Sequence, residues 1–165
     1  MTYYCQYPSP LGTLLLTSDG NDLTGLFMDA EPPPGAEAAE EAEVFLQTKS
    51  WLDAYFRGTP PDWLPPMTAA GTAFQKRIWG YLLEIPFGEV RTYSQLARRA
   101  ARDMGREKMS AQAVGGAVGR NPIAIVIPCH RILGPNGALT GYAWGLDAKI
   151  RLLNHEGCHF QGGTL

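Results

Sequence analysis

The residues best suited to chemistry lie in Ile127-Pro128-Cys129-His130-Arg131-Ile132-Leu133. A cysteine flanked by histidine and arginine has electropositive surroundings, which lower a thiol pKa from about 8.5 and favour the nucleophilic thiolate. Side chains of adjacent strand residues point to opposite faces, so Cys129 and His130 can cooperate only if Pro128 opens a turn. Glu156, late in the chain, is the candidate third member that orients or charges the imidazole. A Cys-His pair taken alone is more often structural than catalytic, and both readings stand at this point. Cys5 and Cys158 read as a strand residue and a tail thiol. There is no CxxC pair, and the three histidines make no zinc-ligand set, so no metal is expected.

The elements that must position these residues follow from pattern. Leu11–Thr17 and Leu23–Met28 read as strands joined by the Ser18–Asn21 turn, and Ala36–Arg57 reads as a helix with Phe45, Leu52 and Phe56 on one stripe. Gly58–Met67 holds four prolines in ten residues and reads as a linker. Thr72 and Gln75 form a capping-box pattern ahead of Phe74, Ile78, Leu82 and Ile85, and Pro86-Phe87-Gly88 ends that helix. A second helix begins at Tyr93 and carries Arg98, Arg99 and Arg102. Ser110 caps a third, Ala111–Gly119; Ile123–Ile127 is a strand or buried extended run; and Asp147 caps a last helix, Ala148–Asn154.

Charge divides the same way. The net charge is −2, but residues 1–66 carry 2 basic and 10 acidic side chains, whereas residues 67–165 carry 12 basic and 6 acidic. Only the second half is suited to a polyanion partner. The arginine-bearing helix and its small-residue successor fit a helix-turn-helix. The small residues of Ala111–Gly119 suit tight helix packing or close approach of backbone to DNA. At 45% hydrophobic and 18% charged the composition is that of a folded chain. No secretory signal or membrane span is visible, and an odd count of three cysteines fits a reduced, cytoplasmic protein, or a nuclear one in a eukaryote.

Pro128-Cys129-His130-Arg131 resembles the active-site signature of the O6-alkylguanine-DNA alkyltransferases, also called methylated-DNA–protein-cysteine methyltransferases. The resemblance extends in order through Phe74-Gln75, Ile85–Val90, Thr92-Tyr93, Ala113–Ala117, Asn121-Pro122, Gly141-Tyr142, Lys149, Leu152-Leu153 and His155-Glu156-Gly157. It covers roughly residues 72–157, with only an outline match before residue 66. It implies two domains. Residues 1–66 would form a small α/β domain, a hairpin sheet plus helix that is ribonuclease-H-like. Residues 67–165 would form a mainly helical, winged-helix-like domain with the helix-turn-helix.

The resemblance also implies a single-turnover reaction. The protein would bind double-stranded DNA through the minor groove, flip an O6-alkylguanine and transfer its alkyl group irreversibly to Cys129. O4-methylthymine is a possible second substrate. His130, through a water, would take the thiol proton while Glu156 holds the imidazole. Tyr93 would serve guanine N3, backbone N–H groups near Tyr142 and Ala143 would serve O6, and Asn121 would be the hinge between recognition helix and active-site segment. Arg131, counted with Tyr142, Ala143 and Trp144 among the substrate-binding residues, would neutralise charge locally or simply anchor the loop. Ser110, Gln112, Ala113, Gly115, Tyr93, Arg98, Arg102 and Arg120 are the expected DNA contacts. Gln112 stands where many relatives have an arginine finger, and Trp144 where several have glycine beside the pocket. No cofactor, membrane or obligate protein partner is expected, and a monomer is the default. The competing reading is a lesion sensor that binds without transfer; intact Cys129 speaks against it.

Overall fold

The computed structural model describes residues 1–165 and divides into two compact units. Unit 1 comprises Met1–Ala70 with Pro122–Val126 and Leu165; unit 2 comprises Gly71–Asn121 and Ile127–Thr164. The division therefore falls four residues after a cut at residue 66. Pro122–Val126, expected in the second domain, belongs instead to the first.

In unit 1, β1 (Tyr3–Ser9), β2 (Gly12–Ser18), β3 (Leu23–Met28) and β4 (Glu37–Ala38) form one sheet in the order β3-β2-β1-β4. The first three are antiparallel neighbours, and β4 adds parallel to Tyr3 and Tyr4. Pro8 obscures β1 in the sequence. It is tolerated because β4 pairs only with Tyr3 and Tyr4, leaving the rest of β1 as a sheet edge where no second ladder needs its N–H.

Helix α1 spans Glu43–Phe56, not Ala36–Arg57. The Glu37 and Ala39 N–H groups donate to the Thr2 and Tyr4 carbonyls, and backbone committed to a sheet cannot also join a helix. The α1 stripe buries Phe45, Trp51, Leu52 and Tyr55, whereas Phe56 is half-buried. The proline-rich stretch is no free linker. Leu23 N–H donates to Pro66 O at 2.7 Å, and Thr68 N–H to Leu23 O at 2.9 Å. Ile123–Ile127 is buried as expected but makes only an isolated bridge between Ile123 and Leu26. Ile125 turns the chain at φ +71°, a left-handed conformation unusual for a β-branched residue.

Unit 2 is built on α2 (Ala73–Leu83), α3 (Tyr93–Asp103), α4 (Ala111–Gly119) and α5 (Leu146–His155). Thr72 and Gln75 form the expected capping box, and Thr92 with Gln95 forms a second one that starts α3. Ser110 caps α4 by accepting from Ala113 N–H at 3.2 Å. Asp147 does not cap α5: the N-cap is Gly145, and Asp147 lies in the first turn, where its charge suits the helix dipole. A two-residue parallel ladder joins β5 (Arg91–Thr92) to β6 (Ile132–Leu133).

Helix α4 buries Val114, Ala117 and Val118, and Trp79 Nε1 donates to Ala117 O at 2.8 Å. Its glycines do not serve that packing. A β-carbon on Gly116 or Gly119 would meet nothing within 4 Å, and one on Gly115 would make only ordinary contact with the Tyr93 ring at 3.7 Å. Tight helix packing thus fails to explain the bare face. Gly116→Ala should raise unfolding stability by about 0.5–1 kcal/mol through helix propensity. A lowered Tm by differential scanning calorimetry would show that the glycine has a packing role after all.

Candidate active site

Pro128 ends the extended approach, and Cys129–Arg131 forms a single 3-10 turn, the turn required for adjacent cysteine and histidine to cooperate. The β5–β6 ladder pairs Thr92 with Leu133, which sets Tyr93 at the start of α3 beside this turn. Asn121, following α4, donates from Nδ2 to Ile127 O at 2.7 Å and so fastens the end of α4 to the segment leading into Cys129.

The centre of the site is the Glu156 carboxylate at the end of α5. His130, fully buried, meets Glu156 Oε2 through Nε2 at 2.6 Å. Arg131 donates from Nε to Oε1 at 2.7 Å and from Nη2 to Oε2 at 3.1 Å, a bidentate pair. Its third donor, Nη1, reaches Ile85 O at 2.6 Å. Gly88 N–H approaches Oε1 at 3.5 Å. Arg131 is thus committed to Glu156 and the end of α2. It neutralises charge locally, on Glu156, and ties the turn to Ile85.

Burial alone would raise the Glu156 carboxyl, but His130 and Arg131 outweigh it and hold the group well below the usual carboxylate range. Burial lowers the His130 pKa, opposed by the attraction of Glu156, so the imidazole is neutral near pH 7. Its Nδ1 is buried and makes no hydrogen bond within the protein, so a basic nitrogen remains to accept a proton.

Cys129 departs from expectation. Burial pushes its thiol up; Asn121, the Lys149 ammonium and Tyr142 pull it down without overcoming that effect. The flanking charges fail to make a resting thiolate because Arg131 is already neutralised by Glu156 and His130 is uncharged. Reaction therefore requires a proton to leave as the sulfur attacks.

Lys149 was not singled out for a role by sequence reasoning. It is fully buried on α5, donates from Nζ to Ile132 O at 2.6 Å and Thr140 O at 3.3 Å, and has its pKa lowered by burial to about 8. The signal was available: Lys149, Leu152, Leu153 and Glu156 share one face by their spacing of three, four and seven. An unpaired cation on a buried face is costly unless it serves something.

Tyr142 and Trp144 are half-buried with edge-to-face rings 6.0 Å apart, and Ala143 is exposed. Among the expected DNA contacts, Ser110, Gln112, Ala113, Arg98, Arg102 and Arg120 are exposed, whereas Gly115 and Tyr93 are half-buried. The first turn of α4 and the exposed face of α3 therefore offer small, polar and cationic groups to solvent.

Cys5, in β1, is buried, with its thiol pushed up by burial to about 12, and is inert by that criterion. Cys158 is half-buried, and its Sγ lies 3.9 Å from Gly88 O. No helix is long and apolar enough to cross a membrane.

Known families match both units. Residues 73–158 match the 6-O-methylguanine DNA methyltransferase DNA-binding domain, and residues 2–63 match the ribonuclease-like domain of the same proteins. The chain is 44% identical over 158 residues to a methylated-DNA–protein-cysteine methyltransferase of Haemophilus influenzae, covering 93% of this chain and 86% of that one. It is 43% identical to the protein of that name from Methanosarcina acetivorans, covering 94% and 98%. A crystal structure of Mycobacterium tuberculosis OGT in complex with DNA superposes with a TM-score of 0.81 at 38% identity, covering 93% of this chain and 92% of that one. With both of its domains matched and its cysteine in a buried His-Glu-Arg setting, the chain belongs to the 6-O-methylguanine DNA methyltransferase family.

Proposed function

We propose that this protein repairs O6-alkylguanine in duplex DNA by moving the alkyl group to its own Cys129, once per molecule. The observation that carries this reading is the buried His130 next to Cys129, with Nε2 held by Glu156 at 2.6 Å and Nδ1 left without a protein partner. The Cys129 sulfur attacks the alkyl carbon in line; the S–C bond forms as the C–O bond breaks and the electron pair leaves on O6. His130 Nδ1 takes the thiol proton through one water, and the imidazolium that forms is stabilised by the Glu156 carboxylate. Tyr93 donates its hydroxyl proton toward N3, and backbone N–H groups at Tyr142 and Ala143 meet charge developing on O6. The thioether product is stable, so turnover ends there.

Duplex DNA is taken up through the minor groove by α4. Its uncrowded glycines allow close backbone approach without reading base edges, which suits a search over all sequences. Flipping the target costs a few kcal/mol of stacking and pairing, least for a damaged pair. Gln112 on the first turn of α4 fills part of the space left by the flipped base but brings no charge. No cofactor enters the reaction, since the alkyl donor is the DNA itself. The chain acts as a monomer, in the compartment that holds DNA and keeps thiols reduced.

Intact mass after incubation with O6-methylguanine duplex should rise by about 14 Da, one methylene, on Cys129 alone, and Cys129→Ala should not react. Binding with no mass change would identify a sensor instead. The pH dependence has a definite sign. His130 works only when neutral and its pKa is lowered, so the transfer rate should stay level down through about pH 6.5 and fall only at more acidic pH. A midpoint above pH 6.5 would contradict this. In Glu156→Gln the forming imidazolium loses its counter-charge, and the rate should drop about 100-fold or more. Trp144 narrows the alkyl pocket, so O6-methylguanine should react much faster than O6-benzylguanine, and Trp144→Gly should raise the benzyl rate about tenfold or more. Equal methyl and benzyl rates in the unaltered protein would remove this role for the indole.

A further inference from the structure

The segment Met104–Ser110 joining α3 to α4 encloses, with the exposed side of α3, an open concavity of about 540 Å³. Arg98 and Arg102 of α3 and Arg106 and Lys108 of the segment line it, with Ser94 and Ala111 at the starts of the two helices. Glu107 is the single acidic residue in the wall.

None of these four cations is in an ion pair. Their neighbours differ: Arg91 pairs with Glu89 at 3.2 Å, and Arg99 with Glu84 at 2.8 Å and Asp103 at 3.8 Å. Arg91 and Arg99, close to the lining residues in sequence, are thus neutralised within the protein, while the four around the hollow are not. Like charges gathered about one hollow repel, and an anion in the hollow removes that cost. Guanidinium forks match phosphate oxygens in pairs, and Lys108 adds a point charge. Ala111 belongs to the first turn of α4, so the hollow is continuous with the surface that meets DNA in the proposed reading.

We infer that this concavity is a phosphate clamp: Arg98, Arg102, Arg106 and Lys108 together grip neighbouring backbone phosphodiesters of the duplex, each cation neutralising one, beside those followed by α4. The inference rests on the proposed DNA-repair reading and adds a second, sequence-independent point of attachment to it. The clamp supplies cationic hold on the DNA near Gln112, which supplies none.

The test is the salt dependence of binding to an unmodified duplex. Each phosphate contact contributes about 0.9 to the slope of log K against log salt. The double variant Arg106→Gln, Lys108→Gln should lower that slope by about two and weaken binding several-fold at low salt. The control Lys76→Gln, Arg77→Gln removes two charges from α2 and should leave the slope unchanged. Unfolding curves identify any variant that has lost its fold. If that happens to the double variant, Arg106→Lys, which keeps the charge, should hold the slope while Arg106→Gln alone lowers it by about one. An unchanged slope in folded clamp variants overturns the inference, as does an equal fall in the control, which would show that net charge alone governs binding. Failure of the unaltered protein to bind duplex would instead overturn the DNA reading itself.

Discussion

The site depends on one buried carboxylate. Glu156 gathers the His130 ring, the Arg131 guanidinium and, more loosely, the Gly88 amide, and through Arg131 it reaches the end of α2 at Ile85. An uncompensated carboxylate there would cost several kcal/mol, and removing one partner of a buried pair typically costs about 3–5 kcal/mol. The turn Cys129–Arg131, the end of α2 and the end of α5 are therefore held together by the same group that tunes the histidine. Arg131 supports the chemistry at a distance: it keeps Glu156 ionised, and an ionised Glu156 keeps His130 ready to accept charge.

The electrostatics suit a nucleophile used once. A cysteine with a lowered pKa would be a thiolate at rest, open to any electrophile or oxidant. Cys129 is buried and its thiol raised, so it rests protonated, and in the proposed reading its proton leaves toward the adjacent histidine as the sulfur attacks. The ammonium of Lys149 and the polar groups of Asn121 and Tyr142 pull the other way, and their influence grows as negative charge appears on sulfur. Charge is thus stabilised most in the transition state, where it accelerates the reaction, and least in the resting protein, where it would invite side reactions.

Much of this was legible in the chain because it is local. A capping box at Thr72, an N-cap at Ser110, a proline ahead of a Cys-His pair and a glycine-rich helix each announce themselves within a few residues. What escaped depends on partners far away in sequence. Helical composition from Ala36 gave way to β4 because Thr2 and Tyr4 offered backbone partners. Arg131 looked like an activator of Cys129 until Glu156, 25 residues on, was seen to neutralise it. Lys149 sat on the face shared with Glu156, but its target carbonyls at Ile132 and Thr140 lie on other segments. Neighbouring charges predict a thiol's state only when burial and prior pairing are known.

The glycines of α4 give up stability without any packing in return. Each interior glycine costs about 1 kcal/mol relative to alanine, and at Gly116 the β-carbon would have open space around it. Selection for stability alone would fill those positions, so the bare surface is retained for what it lets approach. A smooth helix reads almost no sequence and brings almost no charge, since its first turn offers Ala111, Gln112 and Ala113. Affinity must therefore come from outside α4, and four unpaired cations gather around one hollow on α3 and the segment leading into α4. Separating the surface that approaches from the surface that holds lets a protein grip any sequence while committing its chemistry only to a base that enters the pocket of Cys129.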